Sequence, residues 1–364
     1  LDPAILDIFT SVSTESEDGD ILVYDPPYSH QAESVKQSLV EGRSLVIMTG
    51  TGSGKTEAFL LPILGKLARE ADKNRQLFGQ QPGTRALVLY PMNALVNDQL
   101  SRLRLLFGDS RIVKKFMSWS GRPPRFARYT SRTLYPGVRD PKKDGQRLKA
   151  IGDFFVRNEE RAGGPASEEK NSALKLISEL RKRGKWPSKP SLISWFGKRS
   201  SRWKDTPTGK FQRAITLQED SELITRHEVH EFAPDVLVTN YSMLEYMLMR
   251  PLERPIFDQT SSWLANNPDE KFLLVLDEAH LYSGAAGAEV ALLIRRLRTR
   301  LGIPPERLQV ICTSASFSVP SKAKNFGAQL SGKDVADFDV IEGDLQKHHN
   351  AGTGTGVDTD ALIA

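Results

Sequence analysis

Thr49-Gly50-Thr51-Gly52-Ser53-Gly54-Lys55-Thr56 stands between the apolar run Leu45-Val46-Ile47-Met48 and the segment Glu57-Ala58-Phe59-Leu60-Leu61. The apolar run reads as a buried strand and the following segment as the start of a helix. A glycine-rich turn between the two aims backbone N–H groups at one point, where the helix N-terminus adds partial positive charge. A triphosphate fits that point. The residues assigned to it are Thr51, Gly52, Ser53, Gly54, Lys55, Thr56 and Glu57. Lys55 would reach the β- and γ-phosphates, and the Thr56 hydroxyl would sit on Mg²⁺. The pattern departs from its usual form at Thr49, where glycine is expected. The competing reading is a strand-to-helix turn with no ligand, so the rest of the chain has to decide.

The 364 residues suggest two domains of ordinary size. An apolar content of 39% with 26% charged residues is that of a globular protein with a real core. No apolar run approaches the roughly 20 residues that span a bilayer, so no membrane association is expected. No basic-then-apolar leader is visible. The first residues, Leu1-Asp2-Pro3, suggest a piece of a longer chain. Cys312 is the only cysteine, which excludes an internal disulfide and a cysteine zinc site and points to a reducing, cytoplasmic setting. Residues 111–213 carry 27 Lys and Arg against 9 Asp and Glu, a net +18, while the remainder carries −13. A basic block on an acidic body suggests a polyanionic partner; the alternative is a solvated insertion.

Along the chain, residues 1–20 read as a short amphipathic start followed by a loose lead-in. Ile21-Leu22-Val23-Tyr24 resembles a strand, and a helix opens at Ser29 as its cap. Arg85–Tyr90 is a second buried strand and Asn93–Phe107 a helix. Strand–loop–helix repeated in this way predicts a doubly wound, mostly parallel α/β sheet. The pattern breaks over 120–230, a basic, proline-rich insertion with one expected helix at Ser172–Arg183. Its tryptophans, Trp186, Trp195 and Trp203, either stack on bases or form a small core. Alternation returns with strands at Asp235–Thr239, Phe272–Leu276 and Leu308–Cys312, and helices at Ser242–Leu248 and Gly287–Leu301. The expected organisation is a lead-in at 1–20, half-lobes at 21–119 and 231–318 around the insertion, and a tail or linker at 319–364.

Each polar motif follows a predicted strand, and the carboxyl ends of parallel strands are where ligands bind. Asp277-Glu278 ends the most apolar strand. Adjacent carboxylates there are costly unless they meet a cation, so Asp277 is assigned to Mg²⁺ and Glu278 to the attacking water. The plain alternative is that Asp277 caps a helix.

Asp277-Glu278-Ala279-His280 resembles the DEAH box of superfamily 2 helicases, and Thr49–Thr56 resembles their motif I. Pro91–Gln99 is similar to motif Ia, Val238–Leu244 to the next nucleic-acid motif, and Thr313-Ser314-Ala315-Ser316 to motif III. The wording around residues 28–33 and 239–251 is similar to a bacterial branch that includes MrfA-like repair helicases and DISARM-type phage-defence helicases. The resemblance covers about 21–110 and 231–345. It implies a RecA-like first lobe, ATP with Mg²⁺ as ligands, and hydrolysis coupled to movement on DNA, either a single strand or a duplex end. It implies Gln31 as adenine reader, with Tyr28 or Tyr24 stacking, and His280, Thr313 and Ser314 as the coupling between nucleotide state and grip. Asn93, Ala94, Thr239, Asn240 and Tyr241 would touch the nucleic-acid backbone. A second RecA-like lobe in the full-length chain, and a protein partner in a defence or repair complex, are the expected company. An ATP-gated DNA-loading subunit that does not unwind, and an RNA helicase, remain alternatives.

Overall fold

The computed structural model describes residues 1–15, 21–50, 53–317 and 319–343. Eight strands form one sheet: β1 (Ser44–Met48), β2 (Ala86–Tyr90), β3 (Phe126–Arg128), β4 (Glu222–Leu223), β5 (Val236–Asn240), β6 (Phe272–Leu276), β7 (Leu308–Ser314) and β8 (Phe338–Glu342). Their spatial order is β4-β3-β5-β2-β6-β7-β1-β8, and every pairing is parallel. This is the RecA-like doubly wound arrangement.

The central strands are near-continuous apolar runs because helices cover both faces of the sheet. Side chains alternate between two cores. Leu45 and Ile47, Val88, Val236, Val275 and Ile311 face one layer, with Phe59, Leu64, Leu103 and Phe116 from the helices Lys55–Lys73, Asn93–Phe107 and Ser110–Ser120. Val46, Leu87, Leu237, Leu274 and Val310 face the other, with Leu244, Trp263, Leu297 and Ala328 from Tyr241–Met249, Arg254–Asn266, Gly284–Leu301 and Pro320–Ser331. The order β6-β7-β1 has a direct consequence. It places the ends of β1 and β6 on either side of β7, on one rim.

Several expectations are corrected. Residues 3–13 form a docked helix instead of a loose lead-in. Asp2 caps it through Ala4 N (3.1 Å), and Ile5, Ile8 and Val12 are buried. The helix approaches closely because residue 65 is glycine: a Cβ there would lie 2.4 Å from Leu39 and 3.3 Å from Phe9. Residues 16–20 lie outside the described residues. Ile21–Tyr24 forms no strand; Leu22 N and Val23 N donate instead to Val12 O at 3.2 and 3.3 Å. The helix after it is Ser29–Val35, so its cap is Tyr28, not Ser29. Residues 320–342 are not a tail: they add a helix and β8, which pairs with β1 at the sheet edge. Gly352–Gly356, read as linker, lies outside the described residues.

The basic block is also more integrated than its composition suggests. Its ends supply β3 and β4 to the sheet. Between them stand five short helices or turns of helix and a helix at Glu168–Lys182, around a separate core of Tyr135, Leu148, Val156, Ile177, Trp186, Leu192, Trp195 and Phe196. The tryptophan alternatives thus resolve toward packing for Trp186 and Trp195. Trp203 is half-buried, edge-on to Phe196 and under Arg213. One buried carboxylate, Glu228, ties this core to the lobe. It accepts from Lys189 Nζ (2.8 Å), Trp195 Nε1 (2.9 Å), Thr225 Oγ1 (2.8 Å) and Ile224 N (3.1 Å), while Lys189 also holds Asp220 at 2.7 Å. Burial works to raise the Glu228 pKa, but Lys189 and the other donors hold it below the usual value.

Removing one member of a buried ion cluster leaves the others without counter-charge, at about 3–5 kcal/mol. Lys189→Met is therefore expected to speed native-state hydrogen exchange at 186–196 and 220–228 while β1, β6 and β7 keep their protection. Unchanged exchange in the insertion would show that the cluster does not hold it.

Candidate active site

β1 ends at Met48, and Thr49 N donates to Ser314 O at the end of β7 (3.2 Å), so the turn that follows is anchored to its neighbour strand. Ser53 Oγ donates to Gly50 O at 2.8 Å. Thr51 and Gly52 lie outside the described residues. Gly54 has φ +77°, a left-handed conformation that side chains disfavour. It is also crowded, since a Cβ would fall 2.5 Å from Gln31 Nε2. Helix 55–73 starts at once, with Lys55 and Thr56 in its first turn.

Gln31 is buried with both ends of its amide occupied. Nε2 donates to Gly54 O (3.1 Å), and Oε1 accepts from Tyr28 N (3.1 Å). It therefore fastens segment 28–31 to the loop. Tyr28 is exposed and stacks on His30, with ring centroids 5.8 Å apart and planes 10° off parallel; Tyr24 is still more exposed.

The second half of the site follows β6. Asp277 is buried, and Thr313 at the end of β7 donates its hydroxyl to Asp277 Oδ1. Glu278 adopts φ +50°, a strained conformation for a non-glycine residue that costs about 1–3 kcal/mol and persists because its surroundings fix it. Its N–H donates to Asp277 Oδ1 at 3.0 Å. That turn brings Glu278 Oε1 to 3.4 Å from Lys55 Nζ, across the end of β7. His280 Nδ1 lies 3.5 Å from Glu278 Oε2 and 3.4 Å from Ser314 Oγ. Burial raises the Asp277 carboxyl above the ordinary range; the Thr313 bond opposes this, and Glu278 adds to it.

These groups share a cleft of about 400 Å³ whose lining includes Tyr24, Tyr28, Gln31, Lys55, Asp277 and Glu278. That volume is within the range of small-ligand sites. Its chemistry fits a magnesium nucleotide: an ammonium, a hydroxyl, two carboxylates and the start of a helix converge. Among the described residues, Lys55 Nζ meets only a carboxylate, at the long end of ion-pair distance.

Sequence reading missed two side chains in this cleft. Gln99 Nε2 donates to Thr56 Oγ1 (3.3 Å), and Gln99 Oε1 is buried without a partner among the described residues. Arg102 pairs with Glu57 at 2.8 Å. Both lie on helix 93–107, at a spacing of three that puts them on one face. That spacing was the available signal, but it does not say what the face meets. Leu22 and Val23, expected in a strand, line the cleft as irregular backbone.

The residues assigned to nucleic acid separate into two groups. Asn93 and Asn240 meet, Asn240 Nδ2 donating to Asn93 Oδ1 at 2.5 Å, and Asn240 Oδ1 caps the next helix through Met243 N (2.8 Å). Ala94 is exposed beside Asn93, and Tyr241 is half-buried with its hydroxyl 3.4 Å from Glu289. Thr239 differs: it is fully buried and donates to Tyr129 O at 2.6 Å, so its hydroxyl is spent inside the sheet and is not offered to a ligand.

A family profile described as DEAD/DEAH box helicase matches residues 28–131 and 192–325. Druantia protein DruE of Escherichia coli (strain UMEA 4076-1) is 45% identical over 368 residues, covering 97% of this chain and 19% of that protein. The uncharacterized ATP-dependent helicase MJ1574 of Methanocaldococcus jannaschii is 31% identical over 135 residues, 37% of this chain and 18% of that protein. The chain thus spans under a fifth of the length of these relatives. Among solved structures, the DUF1998 helicase MrfA bound to DNA aligns over 94% of this chain and 30% of its own at 19% identity, with a TM-score of 0.46. No helix among the described residues is long and apolar enough to cross a membrane. With the strand order, the paired loops and the profile in agreement, the chain belongs to the DEAD/DEAH box helicase family.

Proposed function

We propose that this chain is the ATP-hydrolysing first lobe of a DNA helicase or translocase. The observation that carries the proposal is the 3.4 Å approach of Lys55 and Glu278 from two loops that β7 separates. Thr56 and Asp277 would hold Mg²⁺, with Lys55 on the nucleotide phosphates. A divalent cation bound there would neutralise charge that develops on the phosphoryl oxygens. Lys55 supplies a further positive charge at the same place. Glu278 is the base: held by its turn, it accepts a proton from the attacking water once Lys55 has exchanged its carboxylate for phosphate. Thr313 orients Asp277, and His280 bridges Glu278 to Ser314, so a change at the phosphate end is felt at the end of β7.

Gln31, with Tyr28 or Tyr24, flanks the end of the cleft where a base would lie. Asn93, Ala94, Asn240 and Tyr241 form the face offered to a nucleic-acid backbone; contacts to phosphate are weakly sequence-dependent and salt-sensitive. Closure against a second RecA-like lobe in the full-length protein would complete the site. The branch resemblance supports a place in a bacterial defence or repair complex, and the 45% identity to Druantia protein DruE extends through the insertion.

In the full-length protein, Lys55→Ala and Glu278→Gln are expected to reduce DNA-stimulated ATP hydrolysis by at least about a hundredfold. Glu278→Gln should still bind ATP. Normal stimulated turnover in either variant refutes the assignment, and stimulation by RNA in preference to DNA would move the substrate to RNA. His280→Ala combined with Ser314→Ala should hydrolyse ATP yet displace less strand per ATP consumed. An unchanged ratio would remove the coupling role, and a wild-type protein that hydrolyses ATP without displacing strands would favour an ATP-gated loading subunit.

A further inference from the structure

β3 ends at Arg128 on the same rim as the candidate active site, level with Val238 of β5 and two residues short of the level of Asn240. The Arg128 side chain is half-buried. Its Nη1 donates to Asn97 Oδ1 at 2.6 Å, and among the described residues it forms no ion pair. The acid whose field reaches it, Glu222, is already held by Arg104 through two bonds of 2.7 and 2.8 Å. Arg104 and Arg132 instead add like charge around it. Burial, then Arg104, lowers the Arg128 pKa from its ordinary value.

Two buried arginines are held by carboxylates. Arg85 meets Glu70 and Asp235, and Arg122 meets Asp235. Arg125 and Arg213 form no ion pair among the described residues; Arg125 donates to Leu217 O and leaves its Nε without a partner there, Arg213 donates to Phe196 O and Ser201 O, and each lies over an aromatic ring, Phe232 at 4.1 Å and Trp203 at 3.8 Å. Arg128 has one asparagine oxygen. A guanidinium withdrawn from water among other guanidiniums is costly, and an anion offsets that cost.

Its neighbours say which anion. Asn97 lies one turn after Asn93 on the same face of helix 93–107, and Asn93 is bonded to Asn240. The start of that helix has no side-chain cap on its backbone N–H groups. Amide groups and a guanidinium that forms no ion pair among the described residues therefore run in a row across the ends of β2, β5 and β3 toward the insertion. Such a row matches a chain of phosphates, with the fork suited to two oxygens of one phosphate.

We propose that Arg128 binds a backbone phosphate of the nucleic acid, that Asn97 is its positioning residue, and that the strand continues past β3 to Arg132 and the insertion. This rests on the helicase reading above, and Arg128 lies outside the motif segments quoted from the sequence.

The test uses the full-length protein, fluorescently labelled single-stranded DNA of two unrelated sequences, and anisotropy across a salt series. Arg128→Gln should weaken binding about tenfold at low salt and reduce the salt slope by about one, equally for both sequences. Arg128→Lys should keep the slope and lose about threefold, because an ammonium lacks the planar fork. Wild-type affinity and slope in a folded Arg128→Gln variant overturn the site. If that variant melts early, Asn97→Ala, which keeps the charge and loses the tether, must still weaken binding at an unchanged slope; wild-type affinity there overturns it equally. A wild-type protein that binds no single strand would fail the helicase reading itself, a result distinct from any of these.

Discussion

Two loops that are remote in sequence are forced together by strand order. Lys55 and Glu278 are 223 residues apart, yet their side chains approach to 3.4 Å because β1 and β6 flank β7 in a parallel sheet. Everything chemical in this lobe depends on that adjacency. β7 is the spacer, and its last residues are the ones that touch both sides: Ser314 O takes the Thr49 N–H, Thr313 bonds Asp277, and Ser314 Oγ faces His280. The spacer is thus the strand that bonds to both loops.

Helix 93–107 supplies a second link. Its middle holds Gln99 against Thr56 and Arg102 against Glu57, while its first turn presents Asn93 and Ala94 to the outer rim. The cleft and the outer rim are thus joined by one continuous helix. The basic insertion follows from the same rim. It leaves after β3, builds its own core and returns through β4, with Lys189, Asp220 and Glu228 fixing it to the lobe. Several of its charges are therefore structural, and its net charge overstates what is free for a partner.

What was legible in the sequence follows from this physics. β1, β2, β5, β6 and β7 are runs buried on both faces, so each stands out as apolar residues ending in polar ones. Helix Asn93–Phe107 was readable to the residue from its apolar spacing. Lys55, Thr56, Asp277 and Glu278 meet in one cleft because the segments that carry them follow two such runs. The remainder depends on distant partners. β3 has three residues and becomes a strand because β4 and β5, about a hundred residues on, pair with it on either side. Ile21–Tyr24 has strand-like composition, but its backbone is taken by Val12 O. Thr239 looked like a ligand contact within its motif, and the carbonyl of Tyr129 claims its hydroxyl. Gln99 closes the segment similar to motif Ia and shares a helix face with Arg102, but neither sign says what that face meets, because its partner Thr56 lies on another helix.

The central claim is that both loops grip one magnesium nucleotide. Calorimetric titration of the full-length protein with a non-hydrolysable ATP analogue, with Mg²⁺ and with EDTA, tests it most directly when wild type is set beside Asp277→Asn. The account predicts that Mg²⁺ tightens binding in the wild type and that this gain disappears in the variant. An equal gain in both proteins, or none in the wild type, would contradict it.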